Sequence, residues 1–151
     1  MPRMANEFVL VHLSDLHARD IYSDQIAIRT KSLHEDLARI GKQIDVVVFS
    51  GDLAFSGDPN EYALAEKHLL AKLSSRFYVS KENTIIVPGN HDVQRSLVEQ
   101  VQEAGLRAMM TDSNKAANHR PEGPDRLAGY YRFLKEYKKL DWQPFGLLPQ
   151  S

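Results

Sequence analysis

The chain contains no cysteine. That absence excludes disulfide bonds, zinc fingers, iron–sulfur clusters and thiol nucleophiles, so any metal site must use His, Asp, Glu, Asn or backbone oxygen. Such ligands favour manganese, iron, zinc or magnesium. The sequence also lacks an apolar run long enough for a transmembrane helix or a signal-peptide core, so we expect a cytoplasmic protein without a membrane partner.

An excess of either charge is absent as well. Lys and Arg together number 19 and Asp and Glu 20, which gives a formal net charge of -1 at pH 7. A nucleic-acid binder that relies on long-range electrostatics is therefore disfavoured, but the net charge does not exclude a local basic groove. The 151 residues suit one domain with a small appendage, and the hydrophobic content of 42% is that of a globular protein.

Short apolar runs alternate with helical patterns in the first part of the chain. Residues 8–13, 44–49 and 84–87 are predicted strands, and their nearly continuous apolar character indicates burial on both faces. Helices are predicted over residues 24–40 and from the capping box at residues 58–61. The order strand, helix, strand, helix, strand predicts an α/β fold with right-handed crossovers and a parallel sheet.

The character of the chain changes after residue 92. Residues 96–110 and 125–140 have helical patterns, and residues 111–124 between them are rich in Asn, Pro, Gly and charge, which predicts a loop. Aromatic residues alternate with Lys and Arg over residues 125–140. We interpret this stretch as an amphipathic helix with a solvated basic face, and a surface that stacks on nucleic acid is the alternative.

Polar clusters follow each of the three predicted strands. They are Ser14-Asp15-Leu16-His17, Ser50-Gly51-Asp52 and Gly89-Asn90-His91-Asp92. Because ligands gather beyond the carboxyl ends of parallel strands, we expect these segments to converge on one edge of the sheet. His34 and His68 fall on predicted helices away from that edge, and we predict that they lie on the surface.

The residue types at this edge suit a two-metal hydrolytic site. Asp15 and His17 can point at one ion, and the two oxygens of Asp52 can bridge two ions. Asn90 adds a neutral amide oxygen, and His91 can give or take a proton near neutral pH. Asp92, the last residue of the third cluster, can orient an imidazole.

The three strand-end motifs resemble the first three motif blocks of the calcineurin-like metallophosphoesterases, over about residues 8–92. The resemblance implies metal-dependent hydrolysis of a phosphodiester or phosphomonoester with two divalent ions, which would be manganese, iron or zinc. Its residue roles would be Asp15 and His17 on the first metal, Asp52 on both, Asn90 on the second metal and phosphate, His91 as the proton donor and Asp92 as its support. Residues 51–57 resemble the cyclic-nucleotide phosphodiesterase branch. A nuclease acting on DNA or RNA and a non-catalytic phosphate-binding module are the alternatives.

Later motifs of that family are missing from this sequence. Members supply further histidines that end in a Gly-His-x-His block, whereas no H-x-H pair follows His91 here. Few strand signals follow Val87 from which to build the second sheet of the family fold. We therefore predict that residues 1–92 form the amino-terminal part of a metallophosphoesterase domain. Residues 93–151 would be a helical insertion or cap region in a truncated chain that is a poor catalyst alone.

Overall fold

A computed structural model describes residues 7–94 and 126–139. Its elements are β1 (Leu10–Leu13), a 3-10 turn (Asp20–Tyr22), α1 (Ser23–Ile40), β2 (Val46–Ser50), α2 (Pro59–Ala65), a π-helical segment (Glu66–Leu70), α3 (Ala71–Phe77), β3 (Thr84–Val87) and α4 (Ala128–Lys138). Within these ranges, no helix is both long and apolar enough to cross a membrane. The helix predicted at 96–110, the loop at 111–124 and the tail after residue 140 lie outside the described residues.

The three strands form a parallel sheet in the order β1-β2-β3, which confirms the predicted α/β fold. The register pairs Leu10 with Val46 and Val48 with Ile85. Because the spatial order follows the chain order, two crossovers of the right-handed kind expected for parallel strands carry their helices to the same face of the sheet. One face of the sheet is thus covered by α1, α2 and α3.

The covered face forms the hydrophobic core. Val47, Phe49 and Ile86 point into it and are at most 6% exposed. The helices contribute Ile26, Leu37, Tyr62, Ala65, Leu69, Leu70 and Leu73 to the same cluster. The capping box at the start of α2 is present as predicted, with Asp58 as the N-cap and Glu61 returning to the N-cap amide.

The opposite face of the sheet carries exposed apolar side chains. Leu10 is 51% exposed, and Ile85 and Val87 are each 47% exposed. The prediction that the strands are buried on both faces is therefore wrong for the described residues. The physical reason is the strand order, since it leaves both crossover helices on one face while no described element covers the other.

Helix α4 lies where a helix was predicted and buries most of its aromatic side chains. Tyr130, Phe133 and Tyr137 are at most 7% exposed. The ring of Phe133 stacks on that of Tyr62, with centroids 4.9 Å apart, and the Tyr130 hydroxyl donates to the Ile86 carbonyl at 2.8 Å. These rings belong to the core, as the amphipathic interpretation requires, and are not available to stack on nucleic acid.

His34 does not lie on the surface as predicted. It is 4% exposed, against the ring of Phe77. Burial lowers the pKa of His34, because desolvation disfavours the charged imidazolium. His68 is partly buried, so its position agrees better with the prediction.

Candidate metal centre

Four of the predicted site residues come together beyond the carboxyl ends of the strands. His17, Asp52 and His91 each offer one ligand atom, and these atoms all lie within 4.8 Å of one another. Asp15 joins them, since its Oδ1 lies 3.6 Å from Nε2 of His17. We call these four residues the ligand cluster. Asn90 precedes His91 in the same loop with an exposed side chain, and its predicted role as a ligand stays a prediction.

The loops that carry the ligand cluster continue the pairing of the strands. The Asp15 amide donates to the Gly51 carbonyl at 3.1 Å, and the His17 amide donates to the Asp52 carbonyl at 2.9 Å. A short parallel bridge then joins Ala18 to the loop after β2. The backbone of this edge is therefore fixed by hydrogen bonds before any ligand arrives.

The backbone of the ligand cluster is strained. Asp15, His17 and Asp52 have φ angles of 58°, 49° and 58°, in the left-handed region that non-glycine residues seldom adopt. Each such residue costs about 1 kcal/mol or more, and such residues concentrate at functional sites. Three left-handed residues among four cluster members indicate that the fold holds these side chains in place against their local preference.

The loop after β3 lies directly against Asp52. A Cβ atom on Gly89 would lie 2.6 Å from the Asp52 amide nitrogen, which only a glycine avoids. The His91 amide donates to Oδ1 of Asp52 at 2.8 Å. The close approach at Gly89 thus lets the third loop both present His91 and orient the Asp52 carboxylate.

Asp92 is fully buried and holds the loops after β2 and β3 together. Its Oδ2 accepts from the amides of Asp52, Leu53 and Gly89 at 2.9, 3.3 and 2.8 Å, and its Oδ1 accepts from the Ala54 amide and the Tyr62 hydroxyl, each at 3.0 Å. The sequence suggested that Asp92 orients an imidazole. Both oxygens instead hold backbone amides and Tyr62, so Asp92 supports the site through the backbone.

His91 is oriented by a backbone carbonyl. Its Nδ1 lies 2.8 Å from the carbonyl oxygen of Phe55, and a carbonyl can only accept, so Nδ1 donates. In the neutral ring, Nε2 then carries the lone pair that a metal ion or a proton can take. The rings of His91 and His17 meet edge to face with centroids 4.5 Å apart. No side-chain pattern in the sequence indicated this role for Phe55.

Glu61 fixes the loop that presents the Phe55 carbonyl. Its Oε2 accepts from the amides of Phe55 and Ser56 at 3.1 and 2.7 Å, and its Oε1 accepts from the Ser56 hydroxyl at 3.0 Å. Glu61 is only 6% exposed, so these bonds form in a low-dielectric region where they are strong. Glu61, which was predicted as part of the capping box, thus also holds the loop whose Phe55 carbonyl orients His91.

The ligand cluster fits a divalent metal ion. Nδ1 of His17 is buried without a hydrogen-bond partner in the described part of the chain, a situation that native proteins seldom tolerate. A metal ion or a rotated ring would relieve it. Two imidazoles beside two carboxylates are the donor set that manganese, iron and zinc accept.

Comparison with known proteins finds a family and a relative that match this chain. The sequence model of calcineurin-like phosphoesterases matches residues 8–149. The chain belongs to this family. The family hydrolyses phosphoesters with divalent metals, and its match extends well beyond the motif region ending at residue 92. An "Uncharacterized metallophosphoesterase-like protein YydB" of Bacillus subtilis (strain 168) is 30% identical over 129 residues, which cover 80% of this chain and 26% of that protein.

Proposed function

We propose that this chain contributes a two-metal centre that hydrolyses a phosphodiester or a phosphomonoester. The observation that carries the proposal is the convergence of His17, Asp52 and His91 from three separate strand ends. Membership of the calcineurin-like phosphoesterase family supports it. Because the chain spans about a quarter of YydB, the activity of a whole protein of that length belongs to the proposal too.

The residues divide the work by position. Asp15 and His17 would hold the first ion, Asp52 would be shared by both ions, and Asn90 would hold the second. When bound, the ions supply Lewis-acid polarisation of the phosphoryl oxygens and neutralise the charge that develops on them. The amide of His91 keeps Oδ1 of Asp52 in a fixed direction, so this carboxylate would need little reorganisation when metal binds.

His91 donates a proton to the leaving oxygen. The Nδ1–H group of His91 donates to the Phe55 carbonyl, so in the protonated ring the second N–H group, at Nε2, is the one left to give a proton. The geometry also permits Nε2 to bind metal directly, since His91 lies within ligand distance of His17 and Asp52. These two roles make opposite predictions for metal content when His91 is replaced.

Replacement of Asp52 tests the two-metal proposal. Asp52→Asn should abolish the second manganese site and weaken the first by at least about 100-fold, because one change removes a charged ligand from both ions. Calorimetric titration with Mn²⁺ measures both sites, and hydrolysis of bis-(4-nitrophenyl) phosphate should fall in parallel. Asp36→Asn, at an exposed ion pair with Arg39 on α1, is the matched control. Two intact manganese sites in the Asp52 variant would contradict the assignment.

The alternatives have less support from the structure. Nuclease action relied on the aromatic residues of α4, and Tyr130, Phe133 and Tyr137 are buried in the core. A non-catalytic phosphate-binding module would bind manganese and phosphate without manganese-dependent hydrolysis, so the same assays separate it from the enzyme. A cyclic nucleotide substrate, the native metal and a cytoplasmic location stay predictions from the sequence.

A further inference from the structure

Arg19 lies at the rim of the candidate metal centre, two residues after His17. The bridge between Ala18 and Ala54 fixes its position, because the Ala18 amide donates to the Leu53 carbonyl at 3.0 Å and the Phe55 amide donates back to the Ala18 carbonyl at 3.1 Å. This register sets Arg19 beside Phe55. Arg19 and the residue that orients His91 are therefore neighbours by backbone pairing.

The guanidinium of Arg19 rests on aromatic rings. Its Cζ atom lies 4.3 Å from the centroid of the Phe55 ring and 5.9 Å from that of Tyr22. The 3-10 turn after Arg19 brings Tyr22 back, with the Tyr22 amide donating to the Arg19 carbonyl at 3.0 Å. Cation–π contacts of this kind hold a guanidinium in place while its edge N–H groups stay able to bind an anion.

This guanidinium forms no ion pair with a carboxylate among residues 7–94 and 126–139. Asp20 is the next residue along the chain, and its side chain is exposed to solvent. Arg19 is half-buried, stacked on an aromatic ring and without a carboxylate partner in the described part of the chain. Its planar fork is thus preorganised to bind a carboxylate or a phosphate.

The location of Arg19 indicates which part of a substrate it would meet. The centroid of the Phe55 ring lies 5.2 Å from that of His91 and 6.2 Å from that of His17. Phe55 thus contacts both Arg19 and the imidazoles of the ligand cluster. A group several bonds away from the reacting phosphorus would reach it. Since His91 is the proposed proton donor to the leaving oxygen, that group lies on the leaving-group side.

We infer that Arg19 is a specificity-determining residue that binds a second anionic group on the leaving group of the substrate. The preferred esters would carry a further phosphate or carboxylate beyond the scissile bond. This inference rests on the proposed phosphoesterase function, and it narrows the substrate class from any phosphate ester to doubly anionic ones.

Binding of two matched phosphonates tests Arg19 without requiring turnover. Phenylphosphonate and 4-carboxyphenylphosphonate differ by one carboxylate, and calorimetry on the manganese-loaded protein measures the ratio of their affinities. We expect the carboxylated ligand to bind about tenfold more tightly to the unmodified protein. Arg19→Gln should bring the ratio close to one, and Arg19→Lys should give an intermediate ratio because it keeps the charge but loses the planar fork. Arg29→Gln, at an exposed position on α1, should keep the full ratio.

Hydrolysis of phenyl phosphate and 4-carboxyphenyl phosphate separates this inference from the proposed function. Manganese-dependent hydrolysis with no preference for the carboxylated ester in the unmodified protein would overturn the role of Arg19 alone. An Arg19-dependent affinity ratio without manganese-dependent hydrolysis would sustain Arg19 and favour the non-catalytic phosphate-binding module over the phosphoesterase. Equal weakening of both phosphonates in Arg19→Gln would show a merely structural residue. If that variant fails to fold, an unchanged ratio in Arg19→Lys overturns the inference.

Discussion

Two aspartates that nearly touch serve opposite purposes in this molecule. Asp92 is fully buried, and its two oxygens accept five hydrogen bonds from the protein. Asp52 is partly exposed and points its carboxylate to the cluster of imidazoles, held by the His91 amide. The site therefore has a buried framework, represented by Asp92, whose hydrogen-bonding groups are used by the fold. It also has a partly exposed rim, represented by Asp52 and His91, whose groups are left for ligands.

Neutralising each aspartate in turn should give the largest difference between them. Asp92→Asn should lower the free energy of unfolding by about 3–5 kcal/mol, because an NH₂ group then faces amide donors that lose their buried acceptor. That is a large part of the 5–15 kcal/mol typical of a domain. Urea unfolding of the metal-free protein measures it.

Asp52→Asn is the matched control for that experiment. Its amide oxygen can still accept from the His91 amide, so we expect the metal-free protein to lose less than about 1 kcal/mol. Equal destabilisation by the two changes would show that the division between framework and rim is wrong.

His91 belongs to the rim, where the side chains are left to act on ligands. If His91 protonates the leaving oxygen, His91→Asn should slow hydrolysis of an alkyl phosphate ester by about 100-fold or more and that of a nitrophenyl ester far less. A nitrophenolate leaves without help from an acid, whereas an alkoxide does not. Steady-state kinetics on the manganese-loaded protein with both esters measures the difference.

Manganese content decides between the two roles of His91. Content equal to that of the unmodified protein would support the proton donor. Loss of one ion would make His91 a ligand, which its proximity to His17 and Asp52 also allows. Equal slowing of both esters would count against the proton donor whatever the metal content.

The positions of the ligand cluster could be predicted from the sequence. Asp15, His17, Asp52 and His91 follow three apolar runs, and the topology of a parallel sheet brings the ends of such runs together. The strands, α1, the capping box and α4 follow equally from local patterns. The missing second layer among the described residues follows from the few strand signals after Val87. The apolar runs themselves do not reveal it, because such a run has the same composition whether or not a second layer covers it.

The framework of the site was less accessible to prediction. Asp92 was assigned to an imidazole because a carboxylate can orient one and because the family resemblance implied it, yet its bonds depend on the loop conformation around Gly89 and Leu53. The carbonyl of Phe55 carries no signal in a residue name, and Arg19 acquires its neighbours through the bridge at Ala18. His34 is buried between helices whose contact depends on tertiary packing. Site residues at strand ends can be predicted from short sequence patterns, whereas hydrogen-bond partners in different loops cannot.

The smallest expected effect concerns Tyr62, which links the framework to the core. Tyr62→Phe removes the hydroxyl that donates to Asp92 while keeping the ring stacked on Phe133, so we expect the free energy of unfolding to fall by about 1 kcal/mol at pH 7.

Burial raises the pKa of Tyr62 well above its usual range. Above pH 10 the unfolded chain therefore loses this proton while the folded chain keeps it, and the stability of the unmodified protein falls by about 1.4 kcal/mol per pH unit on this account. The phenylalanine variant lacks that loss, so urea unfolding across pH should show the two stabilities meeting about one unit above pH 10. Tyr22→Phe, at an exposed ring, should run parallel to the unmodified protein throughout. A constant difference in the free energy of unfolding between Tyr62→Phe and the unmodified protein would contradict this prediction. It would mean that Tyr62 ionises alike in the folded and unfolded states and that its hydroxyl is not held in a buried hydrogen bond to Asp92.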